Sequence, residues 1–177
     1  AQMRELNFLD ARFEARLVDS GHYSTLGRDD AEFYMSANPG EPLKPLGSVA
    51  SGGELSRVML AIKTVLADEE DTPTLIFDEI DTGISGITAG KVGEKLKLIG
   101  KSRQVLCITH LPQIAAVADA HYLISKEVAG NSVKTKIELL DDEASAEELA
   151  RMLGGANVTG NILESAREMK QLAKSEI

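Results

Sequence analysis

The chain has 177 residues, 43% hydrophobic and 27% charged, with 15 Gly and 5 Pro, a composition that excludes a disordered tail or a fibrous repeat and suits one domain with a sizeable core. Lys and Arg number 19 against 28 Asp and Glu, a formal net charge of −9; such a surface repels phosphate backbones, so strong nucleic-acid binding by this chain alone is disfavoured. No apolar run approaches the roughly 18 residues of a membrane-spanning helix, and no basic-then-apolar leader opens the sequence, so membrane and secretory readings are not expected. The single cysteine, Cys107, cannot form an internal disulfide, in keeping with a reducing cytoplasm.

In chain order, Ala11, Phe13, Ala15 and Leu17 alternate with Arg12, Glu14 and Arg16, and Ala31, Phe33 and Met35 alternate with Glu32, Tyr34 and Ser36. This is the period of half-buried strands. A Gly-containing connection separates the two, and Asn38, Pro39, Gly40, Pro42 and Pro45 punctuate the next segment, so the opening third reads as an antiparallel β region. The period then changes. Leu55, Val58, Met59, Ile62, Val65 and Leu66 follow helical spacing, with Ser51 and Glu54 as a capping box. Pro73 to Phe77 is apolar without alternation, as expected of a parallel strand buried on both faces. Residues 87 to 99 read as a helix, 105 to 109 as a second buried strand, and 111 to 118 as a short helix entered through Pro112. Strands over 122 to 125 and 133 to 139 and helices over 145 to 153 and 159 to 174 close the chain. The alternation of strand and helix implies a parallel sheet covered by helices.

Two stretches carry chemistry. Thr74-Leu75-Ile76-Phe77-Asp78-Glu79 puts two carboxylates at the C-terminal end of a buried strand, the edge where open α/β sheets bind ligands. There an Asp can hold Mg²⁺ and a neighbouring carboxylate can orient an attacking water; the plain alternative is a strand that ends at a polar loop. Ser51-Gly52-Gly53-Glu54 precedes the amphipathic helix. Its glycines free the backbone to approach an anion and the helix start supplies unpaired N–H groups; the plain alternative is a capped helix with a Gly-rich entry. His110, just past the second buried strand, is placed to reach a terminal phosphate, although a lone His is more often structural. The acidic runs at 68 to 71 and 138 to 148 read as solvated faces.

Taken together, these motifs resemble those of SMC-like ABC ATPases. Ala50-Ser51-Gly52-Gly53-Glu54-Leu55-Ser56-Arg57 resembles their signature motif, Phe77-Asp78-Glu79 their Walker B strand, Asp81-Thr82-Gly83 their D-loop and Thr109-His110 their switch histidine. The stretches 38 to 46, 81 to 86, 109 to 113 and 150 to 155 are similar, more narrowly, to a bacterial DNA-repair family of these ATPases, over about residues 8 to 155.

The resemblance implies a fold class: α/β, the C-terminal lobe of a P-loop ABC/SMC-type head, a mostly parallel sheet with flanking helices behind a β-rich lead-in. It divides the chain into a lead-in over 1–47, the ATPase lobe over 48–155 and a C-terminal helix over 156–177. It implies ATP and Mg²⁺ as cofactors, Asp78 helping to hold Mg²⁺, Glu79 as general base or water-positioning group, and His110 sensing the γ-phosphate. Ser51, Gly52, Gly53 and Glu54 would serve a nucleotide bound on a partner head, and Asp81 would link the two sites across that interface. The implied protein is cytoplasmic and nucleoid-associated, contains a coiled coil, and pairs head to head in double-strand-break repair and recombination on DNA, away from membranes.

One part of the pattern is missing. A Walker A loop needs G-x-x-x-x-G-K-[ST] between a strand and a helix, but the first Gly of a match ending at Gly100-Lys101-Ser102 would fall on Lys95. Gly100 reads instead as a helix C-terminal cap, and the fold is expected to be incomplete without a Walker A half supplied by the same protein. Arg57 reads as a surface or interface residue. A transporter ATPase subunit and a clamp that binds ATP without hydrolysing it are the rival readings.

Overall fold

The computed structural model describes residues 2–6, 8, 10–37, 40–48, 52–66, 72–129, 132–175. A short helix α1 (Gln2–Glu5), which the sequence pattern does not announce, leads into β1 (Arg12–Ser24) and β2 (Gly27–Ser36), an antiparallel hairpin edged by β3 (Lys44–Pro45). The alternation sets the register: Phe13 pairs with Met35, Ala15 with Phe33 and Leu17 with Ala31, so the apolar set shares one face. Both strands extend through the expected Gly-containing connection to a turn at residues 25–26. The expected half-burial is confined to the hairpin's base. Met35 is 1% exposed, whereas Leu17 is 76% exposed, because among the described residues no other element lies over the far end.

Helix α2 (Gly52–Val65) buries Val58, Leu60 and Ala61 against Leu6 and Phe8 from the N-terminal segment. The parallel pairing is realised by β4 (Thr74–Phe77) and β5 (Gln104–Cys107), linked through α3 (Gly86–Gly100), with Leu75 opposite Val105 and Phe77 opposite Cys107. One face of this pair packs on the helices. The other carries Ile76 at 69%, Leu106 at 47% and Ile108 at 52% exposure, so β4 is covered on one side and not on both. Gly100 is the last residue of α3, followed by Lys101 in right-handed helical conformation, and is not a left-handed cap.

The later strands do not extend the parallel pair. β6 (Tyr122–Ala129) and β7 (Ser132–Leu139) form a separate antiparallel hairpin, because only two residues separate them and so short a link reverses the chain. Between β5 and this hairpin sits α4 (Pro112–Ala115). Helix α5 (Asp142–Gly154) starts where the Asp141 side chain accepts from the N–H of Ala144, and α6 (Gly160–Ser175) packs along it through Leu149, Ala150 and Ala166.

Candidate nucleotide-site half

At the end of β4 the chain leaves the sheet in a tight turn. Glu79 takes φ 55°, a left-handed conformation rare outside glycine. Such a residue costs on the order of 1–3 kcal/mol and persists where its surroundings over-determine it. Here they do. The Oδ1 of Asp78 accepts from the N–H of Glu79 at 2.9 Å, and the N–H of Thr82 donates to the Glu79 carbonyl at 3.1 Å. From α2, Ser56 donates to the Asp78 carbonyl at 2.9 Å, and Arg57 donates to the carbonyls of Ile80 at 3.3 Å and Thr82 at 2.8 Å. Gly83, at φ 74°, completes the turn.

The two glycines of the α2 entry lie directly on this turn. A Cβ on Gly52 would stand 2.8 Å from Oε2 of Glu79; one on Gly53 would stand 2.8 Å from the Cβ of Thr82 and 2.9 Å from the Glu79 carbonyl oxygen. Close approach of helix and turn therefore requires glycine at position 53. Ser51 lies outside the described residues, and Glu54 sits half-buried in the first turn of α2.

Asp81 faces inward. It is 3% exposed, and its Oδ2 accepts from the Thr109 hydroxyl at 2.6 Å, the His110 N–H at 2.7 Å and the His110 Nδ1 at 2.9 Å. Three donors of its own chain thus surround this oxygen. The His110 ring is 73% exposed. A proton on Nδ1 held by Asp81 leaves Nε2 as the second, independently usable nitrogen. The surface reading of Arg57 is corrected. It is 5% exposed, its guanidinium carbon is 5.6 Å from the Phe8 ring centre, and burial lowers its pKa. Its place on the stripe Gly53, Arg57, Ala61 at four-residue spacing is the signal that marks it as inward-facing. Burial, reinforced by Asp81 and Asp78, pushes the Cys107 thiol up to about 12, so it is inert as a nucleophile at neutral pH.

Asp78 and Glu79 are both exposed, at the C-terminal end of the parallel pair. Among the described residues no three His, Cys, Asp or Glu cluster as a metal cage. A single carboxylate does suit Mg²⁺ delivered with a nucleotide, since that ion keeps several waters and takes its other ligands from phosphates.

The chain is 46% identical to DNA repair protein RecN of Halalkalibacterium halodurans over 98% of its own length and 32% of that protein. It is 47% identical to RecN of Vibrio cholerae over 94% of the chain and 30% of that protein. In sequence, the chain matches the C-terminal part of RecN. It spans about a third of the length of these RecN relatives. No protein-family model matches it. Among solved structures, the Smc head domain of Pyrococcus yayanosii, with its coiled coil and joint, is similar at TM-score 0.56 and 21% identity over 82% of this chain and 27% of that one. The Smc head of Pyrococcus furiosus is similar at TM-score 0.53 and 22% identity over 85% and 36%. These two likenesses establish the fold: the C-terminal lobe of an SMC-type head. Among the described residues no helix is long and apolar enough to cross a membrane.

Proposed function

We propose that this chain supplies half of an ATP-hydrolysing site in a RecN-type DNA-repair ATPase, with the Walker A half contributed by the rest of the same protein. The observation that carries the reading is the single cluster formed by Asp78, Glu79, the α2 entry and the Asp81–Thr109–His110 network at the end of the parallel pair. Asp78 would hold Mg²⁺ through its carboxylate. The Mg²⁺ ion, when bound with ATP, would neutralise phosphate charge. Glu79, exposed and fixed by its strained backbone, would take the proton of the attacking water. His110 would present its outer nitrogen to the terminal phosphate while Asp81 holds the inner one, and through this network Asp81 would link its own site to that of a second head.

The resemblance further supports a head-to-head pair in which the α2 entry, with Ser51, Gly52, Gly53 and Glu54, meets the nucleotide of a second copy. This is also the basis for placing the complete protein in the cytoplasm, acting on DNA breaks. The 177-residue chain alone, whose sequence lacks a Walker A loop, is expected neither to hydrolyse ATP nor to bind it in the micromolar range.

Glu79→Gln in the complete protein tests the reading. It keeps the shape of the carboxylate and removes its basicity, so ATP binding should persist while turnover falls about a hundred-fold or more. Turnover at the parent rate would remove Glu79 as the base. Loss of turnover with retained binding also separates a hydrolase from the non-hydrolysing clamp, whose behaviour this substitution leaves unchanged.

A further inference from the structure

We infer that Arg57 is a positioning residue for hydrolysis, holding the Glu79–Thr82 turn in its reactive shape from the signature helix. This rests on the reading of Glu79 as base and goes beyond it by assigning work to a residue that touches neither nucleotide nor metal.

Arg57 is an expensive residue at this place. Its guanidinium is buried, and its Nε finds no acceptor among the described residues. A methionine or leucine would fill the same space without leaving a charge poorly solvated, and buried charges replaced by apolar groups often leave stability unchanged or raised. Fold stability alone is therefore a poor account of an arginine here.

What the arginine does make is specific. One nitrogen, Nη1, donates to the carbonyls of Ile80 and Thr82, the residues flanking Asp81. Glu79 precedes them in left-handed conformation, and Asp81 between them holds Thr109 and His110. Arg57 thus bridges the two arms of one turn whose residues carry the proposed base on one side and the anchor of the proposed phosphate sensor on the other. Ser56, one residue earlier, fixes the Asp78 carbonyl, and Gly53, one helical turn earlier, lies so near the turn that a Cβ there would stand 2.8 Å from the Cβ of Thr82. Three inward positions of α2 therefore grip the turn at Asp78, Ile80 and Thr82. A shift of about 1 Å at reacting groups can cost on the order of a hundred-fold in rate, so the grip bears on turnover far more than on binding. Because the same first turns of α2 carry the glycine entry, any displacement of that entry moves the Glu79 turn with it.

The test uses the complete protein with ATP and Mg²⁺. Arg57→Met keeps the length and removes the donors; Arg57→Lys keeps a donor and the charge. Turnover should fall in the order Arg, Lys, Met, with the methionine variant down about thirty- to a hundred-fold and the ATP concentration for half-saturation within about two-fold of the parent. A merely structural arginine would lower the melting temperature and lower turnover only through loss of folded protein, and that loss would vanish on assay at a temperature where both proteins are fully folded. Parent-like turnover in Arg57→Met, or a defect that vanishes in that way, would overturn the inference. Glu79→Gln assayed beside it separates the failures. An inactive Glu79→Gln with an active Arg57→Met removes only the positioning role, whereas an active Glu79→Gln removes the base on which that role depends.

Discussion

The Asp81 carboxylate and the His110 ring share a 2.9 Å contact, yet one partner is 3% exposed and the other 73%. The contact is asymmetric in consequence. Asp81→Ala strips the acceptor from three donors, two of them the hydroxyl of Thr109 and the N–H of His110, and should destabilise the chain by about 2–3 kcal/mol in urea unfolding. His110→Ala removes only one of those donors from a mostly exposed position, and should cost less than about 1 kcal/mol while lowering turnover of the complete protein. Equal stability losses in the two variants would contradict the inward role of Asp81.

Glycine 53 and glycine 90 offer a matched pair. A Cβ at Gly53 meets Thr82 and the Glu79 carbonyl at 2.8 and 2.9 Å, while one at Gly90, on α3, meets nothing within 4 Å. Gly53→Ala should therefore push the turn away, with a loss of about 1–3 kcal/mol and a fall in kcat. Gly90→Ala should be neutral or stabilising by up to about 1 kcal/mol, since alanine is the better helix former. Thermal unfolding of both variants checks the contrast.

The uncovered side of the parallel pair makes a third expectation. Ile76 is 69% exposed in this chain, so Ile76→Lys should change the stability of the 177-residue chain by no more than about 0.5 kcal/mol. If the Walker A half of the same protein covers this face, the same substitution in the complete protein buries an unpaired ammonium and should lower its melting temperature sharply. A neutral effect in both proteins would mean the face stays open.

His121 joins the second hairpin to α5, its Nδ1 lying 2.9 Å from the hydroxyl of buried Ser145. Burial lowers its pKa below the ordinary 6.5, opposed by Glu148 and reinforced by Lys170. The folded state thus favours the neutral ring, and the unfolded chain takes up the proton first as pH falls. Stability from this site is complete above pH 6.5 and declines as pH drops toward the lower folded value. His121→Gln, which cannot be charged, should flatten the melting temperature across that acid interval while leaving the other titrating groups in place.

Local order was legible from residue pattern alone: the period-two hairpin, the helical spacing of α2, the apolar strands and the punctuated turns each arise from chemistry within a few residues. So were Asp78, Glu79, Asp81 and His110 as the residues to watch, because strand ends and glycine entries mark where backbone groups and carboxylates gather. Three things were decided only by the tertiary structure. What Arg57 binds is one: the stripe between Gly53 and Ala61 turns it inward, but its acceptor carbonyls lie about 25 residues away, and a charged side chain at such a position gives no sign of where they come from. Asp81 serves Thr109 and His110 of its own chain because β4 and β5 are neighbours in register, a pairing that no local pattern encodes. Burial of a strand on one face or two depends on what packs over it. Ile76, Leu106 and Ile108 read as core by composition, yet no described element lies over them, since apolar character states what a residue gains by burial and not whether a partner is present to bury it.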